Sequence, residues 1–364
     1  MVDKDKVKSI WFDNSFLNTA TGIANDGLSV FDSLKSKYDI RFLPAKCYLA
    51  RSNWLLRKIQ NVLFIFFSNS ERLPPAYSEI FYQPQVNSII PGKGIKLWMV
   101  RIHDIFPITN PEWFRRASHF HFKKAWNLAA KNSAIFVCSS HYTKNQILKY
   151  FPHLNGRIEV VPCTPRAFSE KLCGKCSGCA LINSNLTDKK FFIAVGTVEP
   201  RKNYKFLLES WISRENTRRN DSQLLIVGRR GWKVGKLLSK YRYSNNPGND
   251  DIIWLEFCCD GALSTLYTSS SAFISCSLDE GFNLPALEAR EIFKLPLVLS
   301  DIQVHRELHS DFAHFFSSSS EFIKIINLIG HKKSSSMNNT HAKLDINKNN
   351  SIHSIISKRL SQKS

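Results

Sequence analysis

Two glutamates bracket a turn in the stretch "SCSLDEGFNLPALEAREIF" (275–293). Glu280 stands just before Gly281, and Glu288 follows Pro285. The run "AFISCS" (272–277) reads as a buried strand, because it is short, apolar and partly β-branched or aromatic. Pro285 suits the first turn of a helix, where its missing N–H has no cost. "PALEAREIF" supplies good helix formers, and "LPLVLSD" (295–301) reads as the next buried strand. Strand, helix and strand make a right-handed parallel crossover. Glu280 then stands at the carboxyl end of a strand, and Glu288 one turn into the helix. Ligands of open α/β sheets bind at that edge, and helix N-termini attract anions. Gly281 lets a ligand approach the backbone closely. The competing reading is two ordinary solvated glutamates on a surface helix.

A second cluster is "CGKCSGC", with Cys173, Cys176 and Cys179 at two-residue spacing. A fourth ligand and regular zinc spacing are missing from the sequence, and Cys163 is the residue that would complete a set. The expectation is a plain cysteine-containing loop, dispensable for activity and without metal. A third point is His103, which with Asp104 ends the apolar run "IKLWMVRIHDIFP" (95–107).

The elements that position these residues alternate between strand and helix. "VKSIWFD" (7–13), "AIFVCSS" (134–140) and "RIEVVPC" (157–163) read as strands. Helical patterns fill "NTATGIANDGLSVFDSLKSKY", after a turn at Gly22, and "WFRRASHFHFKKAWNLAAKNS". Residues 164–189 break the alternation, being rich in Cys, Ser, Gly, Asn and Lys. A second series opens at "KFFIAVGT" (190–197) and runs to "EFIKIINLIG" (321–330). The fold class is therefore α/β, with two domains and mostly parallel sheets. The expected boundaries are 1–165, a linker with its insertion at 166–189, 190–330, and a polar tail at 331–364 with a short terminal helix in "SIHSIISKRL". A ligand between the domains would face the carboxyl edges of both sheets.

The whole chain agrees with this. Its 364 residues suit two domains of moderate size. The formal net charge is +20, compatible with nucleic acid, an anionic membrane surface or a phosphorylated ligand. Basic and aromatic residues mix in "WFRRASHFHFKKAW" (113–126), which suits lipid headgroups as well as solvent. The most apolar stretch, "NWLLRKIQNVLFIFF" (53–67), is interrupted by Arg57 and Lys58 and is too short for a membrane span. The N-terminus lacks a signal-peptide core. A cytoplasmic protein is expected, and its scattered cysteines are expected to be small core residues.

Together, "VGTVEPRKNYKFLLESW" (195–211), "LIVGRRGW" (225–232), "SCSLDEGFNLPALEA" (275–289) and "SDIQVHREL" (300–308) resemble the retaining glycosyltransferases of family 4. In the first half, "TGI" (21–23), "IHDIFPITNPEWF" (102–114) and "CSSHYTKNQI" (138–147) resemble the branch that elongates bacterial surface polysaccharides, such as O-antigen or capsule. The resemblance implies the GT-B arrangement, two Rossmann-like domains with parallel sheets facing a central cleft. It implies transfer from a nucleotide-sugar donor, with GDP-mannose favoured, to a lipid-linked saccharide acceptor. The place implied is the inner face of the cytoplasmic membrane, through peripheral contact, with no nucleic acid partner.

The resemblance also assigns residues. Arg201 and Lys202 match the cationic pair at the donor diphosphate, where charge grows as the glycosidic bond breaks. Backbone amides at Phe282, Asn283 and Leu284 would add donors, and Gly22 would let the first domain approach the phosphate. Two fixed cations make a divalent metal unnecessary, so no cofactor is expected. Glu280 matches a carboxylate near the donor sugar, and Glu288 one that accepts from ribose hydroxyls. His103 matches an active-site histidine beside the sugar or the acceptor hydroxyl, against the plainer reading of a packed histidine pairing with Asp104. Val227, Gly228 and Arg229 match a segment near base and ribose.

The sequence departs from the family at Asn283 and Glu256, where glycine is usual, and its C-terminal helix is weakly written. Two rivals are a basic nucleic-acid-binding protein with a zinc knuckle and a catalytically silent GT-B scaffold.

Overall fold

The computed structural model describes residues 9–13, 22–42, 71–72, 79–87, 89–90, 95–132, 134–184, 190–214, 222–235, 251–331 and 351–362. The apolar stretch 53–67 and most of the polar tail lie outside them. The chain divides into two compact units, residues 1–164 with 345–364, and residues 165–344.

The first unit carries β1 (Ser9–Phe12), β2 (Asp39–Phe42), β3 (Glu71–Arg72), β4 (Ile80–Gln83), β5 (Ile89–Ile90), β6 (Leu97–Ile102), β7 (Ile135–Cys138) and β8 (Ile158–Val160). Six of these form one sheet, in the order β2-β1-β4-β6-β7-β8, while β3 and β5 make a separate short ladder. Every pairing in the sheet is parallel. Parallel strands are covered by helices on both faces and so read as continuous apolar runs. All six residues of β6, "LWMVRI", are buried accordingly. Arg101 is the exception in type, and it is satisfied by a buried partner described below.

The terminal helix, Ile352–Ser361, belongs to this first unit. Ile352, Ile355, Ile356 and Leu360 recur at helical spacing and join the core of Ile10, Phe12, Leu34 and Met99. Ser351 caps the helix by accepting from the Ser354 amide. Tyr38 and His353 share a 2.7 Å hydrogen bond, and Arg359 pairs with Glu159 at 2.6 Å. The helix that is weakly written in the sequence therefore docks. Its four apolar residues face one side, each contributing about 1.5–3 kcal/mol on burial.

The second unit carries β9 (Lys190–Val195), β10 (Ser222–Val227), β11 (Ile252–Leu255), β12 (Phe273–Ser275), β13 (Leu297–Ser300) and β14 (Ala313–Phe316). They pair in parallel in the order β11-β10-β9-β12-β13-β14. The order reverses between β9 and β12. That reversal is the topological switch point of a Rossmann sheet, where loops leaving adjacent strands diverge and open a crevice. The loop after β9 holds Arg201 and Lys202, and the loop after β12 holds Glu280.

Some elements are not apparent in the sequence reading. Strands β2, β4 and β14 have four residues each, too few to show a period. The helix Ser177–Asn183 lies in the segment read as an unpatterned linker. Its residues Cys179 and Leu181 are buried.

Candidate active site

Arg201, Lys202 and Glu280 of the second unit meet at the switch point. Glu280 is buried and receives three side-chain hydrogen bonds. Lys202 Nζ donates to its Oε1 at 2.5 Å, Ser277 Oγ donates to the same oxygen at 2.7 Å, and Arg201 Nη1 donates to Oε2. Arg201 also donates to the Asp279 carbonyl at 3.1 Å and to Glu199 at 2.8 Å. The Leu278 amide donates back to the Arg201 carbonyl at 2.8 Å. The loops after β9 and β12 are thus laced together through both backbone and side chains. Burial pushes the Glu280 carboxyl up, but Arg201 and Lys202 outweigh it, so the group is held well below the usual carboxylate range.

Glycines set how closely this edge can be approached. Gly196, which follows β9, has φ 146°, in the region that favours glycine. A side chain at Gly228 would lie 1.9 Å from the Gly196 carbonyl oxygen, so only glycine lets β10 leave the sheet there. Val227 is a core residue, Gly228 is half-buried and Arg229 is exposed. Of these three, only the Arg229 side chain is exposed: the Gly228 amide donates to the Leu255 carbonyl at 2.9 Å, its carbonyl accepts from Trp254 Nε1 at 2.8 Å, and Val227 packs inward.

The turn into the helix Leu284–Glu291 is held through Asn283 by two groups to which the sequence assigns no role, Ser275 and His305. Asn283 has φ 69° and ψ 64°, left-handed, as its replacement of glycine demands. Its Nδ2 donates to Ser275 Oγ at 3.1 Å and to His305 Nε2 at 2.9 Å. The other ring nitrogen, Nδ1, donates to the Ser300 carbonyl at 2.8 Å. Burial pushes His305 down to about 4, so the ring is neutral and fixed in that tautomer. Pro285 carries no N–H, and the Ala286 and Leu287 amides donate to the Asn283 carbonyl at 3.0 and 3.3 Å, so in the first turn of the helix only the Leu284 amide has no acceptor within the helix itself. Phe282 and Leu284 are both buried.

Glu288 is buried and does not join this cluster. Its Oε1 accepts from Arg166 Nε at 3.1 Å, and Arg166 Nη1 donates to Asp260 at 2.8 Å. Burial pushes the Glu288 carboxyl up, Arg166 only partly opposes it, and the group sits at about 7. Arg166 escapes sequence reasoning because its partners lie about a hundred residues away and it carries no local motif.

In the first unit, His103 faces Asp26 rather than the neighbouring Asp104, with Nε2 3.7 Å from a carboxylate oxygen. Asp26 lies in the helix Gly22–Leu34, which Gly22 opens from an exposed position. Arg101 grips Asp26 with two hydrogen bonds, at 2.8 and 3.0 Å, and both residues are buried. The same guanidinium donates to the Val161 carbonyl at 2.5 Å and to Cys163 Sγ at 3.1 Å. Cys163 is therefore spoken for here and does not complete the set of Cys173, Cys176 and Cys179. Burial pushes His103 down, Asp26 opposes this and Arg101 reinforces it, so the imidazole is neutral at physiological pH. Nε2 has no hydrogen-bond partner among the described residues. A neutral ring with an unpartnered nitrogen suits a hydroxyl.

The helix Arg116–Lys131 buries Ala125, Trp126 and Ala129 and leaves Arg116, Phe120, Lys123 and Lys131 exposed. No helix among the described residues is long and apolar enough to cross a membrane.

Comparison with known proteins gives this geometry a context. Residues 182–338 match the family described as Glycosyl transferases group 1. The chain is 30% identical over 229 residues to the serotype-specific mannosyltransferase WbdA of Escherichia coli, covering 59% of this chain and 27% of that protein. It is 26% identical over 215 residues to the O-antigen chain mannosyltransferase B of Escherichia coli, covering 57% of this chain and 54% of that one. The chain thus spans between about a quarter and a half of the length of these curated relatives. Among solved structures, the fold is similar to WaaG, a glycosyltransferase involved in lipopolysaccharide biosynthesis, with TM-score 0.58 and 12% identity over 89% of this chain and 90% of that one. It is equally similar to Anabaena HepE in complex with UDP and glucose, with TM-score 0.58 and 13% identity over 88% and 89% of the two chains. The fold class is α/β of the GT-B type.

Proposed function

We propose that this chain, whose residues 182–338 form a Glycosyl transferases group 1 domain, is a retaining glycosyltransferase that uses a nucleotide-sugar donor. The observation that carries the proposal is the cluster of Arg201, Lys202 and Glu280 at the switch point of the second sheet. Two cations and a helix N-terminus converge there, which is what a diphosphate leaving group requires. Glu280 holds the cations in place until a donor arrives, and Lys202 then has further hydrogens to give, since an ammonium carries three. Glu288, one turn inside the helix, takes the ribose hydroxyls, and Gly228 and Arg229 border the base.

The reaction breaks the bond between the anomeric carbon and the phosphate oxygen and forms one to the acceptor oxygen. The acceptor's proton passes to the leaving phosphate oxygen, so no protein base is consumed. Arg201 and Lys202 stabilise the charge that collects on that oxygen. Their presence makes a divalent ion at the diphosphate unnecessary. His103, neutral, accepts or donates a hydrogen bond at a sugar or acceptor hydroxyl.

GDP-mannose is the favoured donor, because the relatives at 30% and 26% identity are named mannosyltransferases. A lipid-linked saccharide is the favoured acceptor, in synthesis of an O-antigen or capsule type of polymer on the cytoplasmic side of the membrane. The net charge of +20 and the exposed Phe120 among Arg116, Lys123 and Lys131 support contact with an anionic surface.

The test is a screen of nucleotide-sugars for a rise in melting temperature, followed by release of nucleoside diphosphate from those that bind. A bound donor stabilises the fold by mass action. NMR of the product's anomeric configuration then checks retention. No binding and no release with any donor would sink the proposal, and an inverted product would remove the retaining part of it.

A further inference from the structure

The segment 165–184 carries a feature that sugar transfer does not use. Cys173, Cys176 and Cys179 fold back on themselves, and Cys259, eighty residues on from Cys179, meets them. The four sulfurs lie within 4.8 Å of one another. Cys176 to Cys179 is 3.5 Å, Cys179 to Cys259 is 3.6 Å and Cys173 to Cys179 is 3.8 Å. All four are free thiols rather than disulfides.

We propose that these four cysteines bind one tetrahedral zinc ion. In a tetrahedral site with Zn–S bonds of about 2.3 Å, neighbouring sulfurs stand about 3.8 Å apart. The observed separations approach that value. They are much too short for the cysteines of an iron–sulfur cluster, which span several metal atoms.

The surroundings fit thiolates. The backbone amides of Cys179 and Cys259 both point to Cys176 Sγ, each at 3.4 Å. Such N–H groups stabilise negative sulfur, as they do in metal knuckles. Gly174, with φ 71°, turns the chain between the exposed Cys173 and the buried Cys176, and both sulfurs approach Cys179. Cys259 N-caps the helix Asp260–Ser269, which places its sulfur at the positive end of that helix. Lys171 and Lys175 are exposed and put two positive charges in the same stretch of sequence as the cysteines.

The ion would have a structural task. Two close approaches already press the segment onto the neighbouring chain. A side chain at Gly178 would meet Cys258 Sγ at 2.4 Å, and one at Gly261 would meet the Lys171 carbonyl at 2.4 Å. Zinc would lock this contact by joining three ligands from the segment to one at the head of the helix Asp260–Ser269. Arg166 lies at the start of the same segment and reaches Asp260, the residue after Cys259, and Glu288. The metal thus anchors the strand of chain that delivers Arg166 to Glu288. Nothing in this requires the ion to touch substrate.

The test is metal analysis of the full chain, purified without a metal-affinity tag. About one zinc per chain is expected. Cys173→Ser and Cys259→Ser should each lose it, whereas Cys163→Ser and Cys258→Ser should keep it. Should the ligand variants fail to fold, cobalt exchanged into the wild-type chain provides the second readout. Four thiolates around cobalt give intense sulfur-to-metal charge-transfer bands and the visible bands of a tetrahedral ion. Zinc below about a tenth per chain, stoichiometric iron in its place, a disulfide within the set, or full zinc in Cys259→Ser would each overturn the assignment.

Discussion

Lys202 Nζ lies 2.5 Å from Glu280 Oε1, although Lys202 leaves the sheet after β9 and Glu280 after β12. Adjacent strands at the switch point bring the two loops together, and the ion pair joins them. The pair does two things. Under the proposed function it stores a cation for the donor diphosphate, and it contributes stability through the lowered Glu280 carboxyl. Because the folded value is below the unfolded one of about 4.3, the contribution is present above that pH and is lost as pH falls below it.

Arg201→Ala should slow the chemical step more than it weakens donor binding. Charge on the leaving phosphate grows in the transition state, and loss of one preorganised donor typically costs about 2.7–4 kcal/mol, roughly 100- to 1,000-fold in rate. Steady-state turnover at saturating donor checks this, and near wild-type turnover would remove Arg201 from the chemistry. The wild-type rate should also be the same with and without added magnesium.

The pH dependence of donor binding should be set by Glu288. Its carboxyl sits at about 7 in the fold, so it is largely protonated at pH 6 and ionised at pH 8. Only the ionised form accepts fully from two hydroxyls, so the donor KM should fall as pH rises through 7. The linkage runs the other way for the ligand-free fold. A carboxyl raised above its unfolded value contributes stability below that value and loses it as pH rises through 7, a loss of a few kcal/mol. Glu288→Gln should flatten both profiles. Donor titration by calorimetry and urea melts at pH 5.5 and 8 measure the two effects, and identical profiles in wild type and variant would reject this role.

In the first unit, Asp26→Ala should be strongly destabilising. Arg101 is fully buried and its charge is balanced by Asp26. Breaking a buried pair by removing one partner costs about 3–5 kcal/mol, because the remaining charge stays uncompensated. Urea denaturation checks this. A loss under about 1 kcal/mol would show that the carbonyls around Arg101 suffice on their own.

How much of this was legible in the sequence depends on distance along the chain. Glu280, Gly281 and Pro285 lie in one strand–turn–helix, so local chemistry gave their placement. Arg201 and Lys202 stand out through the motif they share with family 4, and the switch point brings their loop to Glu280. Arg166, Asp26 and Cys259 could not be assigned. Each meets its partner through the fold, and a buried arginine or cysteine looks the same in sequence as an exposed one. Cys163 was the natural fourth sulfur by proximity in sequence, yet it follows β8 in the first unit and is held by Arg101. Likewise His305 sits in the motif "SDIQVHREL", but its hold on Asn283 depends on where β13 ends.

The two glutamates of the opening stretch should fail differently. Were they ordinary surface residues, Glu→Gln at either would change stability by no more than about 0.5 kcal/mol and leave kinetics alone. Both are buried, with different partners: Glu280 with two cations, Glu288 with Arg166. Glu288→Gln keeps the size of the side chain but loses the charge that strengthens its hydrogen bonds, and charge-assisted bonds are roughly twice as strong as neutral ones. A ribose contact exists before and during the reaction, so its loss should chiefly raise the donor KM. Glu280→Gln alters the neighbourhood of the sugar and unbalances Arg201 and Lys202. Positive character develops on the sugar only as its bond breaks, so this loss should chiefly lower kcat. Steady-state kinetics on both variants at saturating acceptor separate the two parameters. Indistinguishable defects would reject the division of labour, and two variants with wild-type kinetics would reject the site.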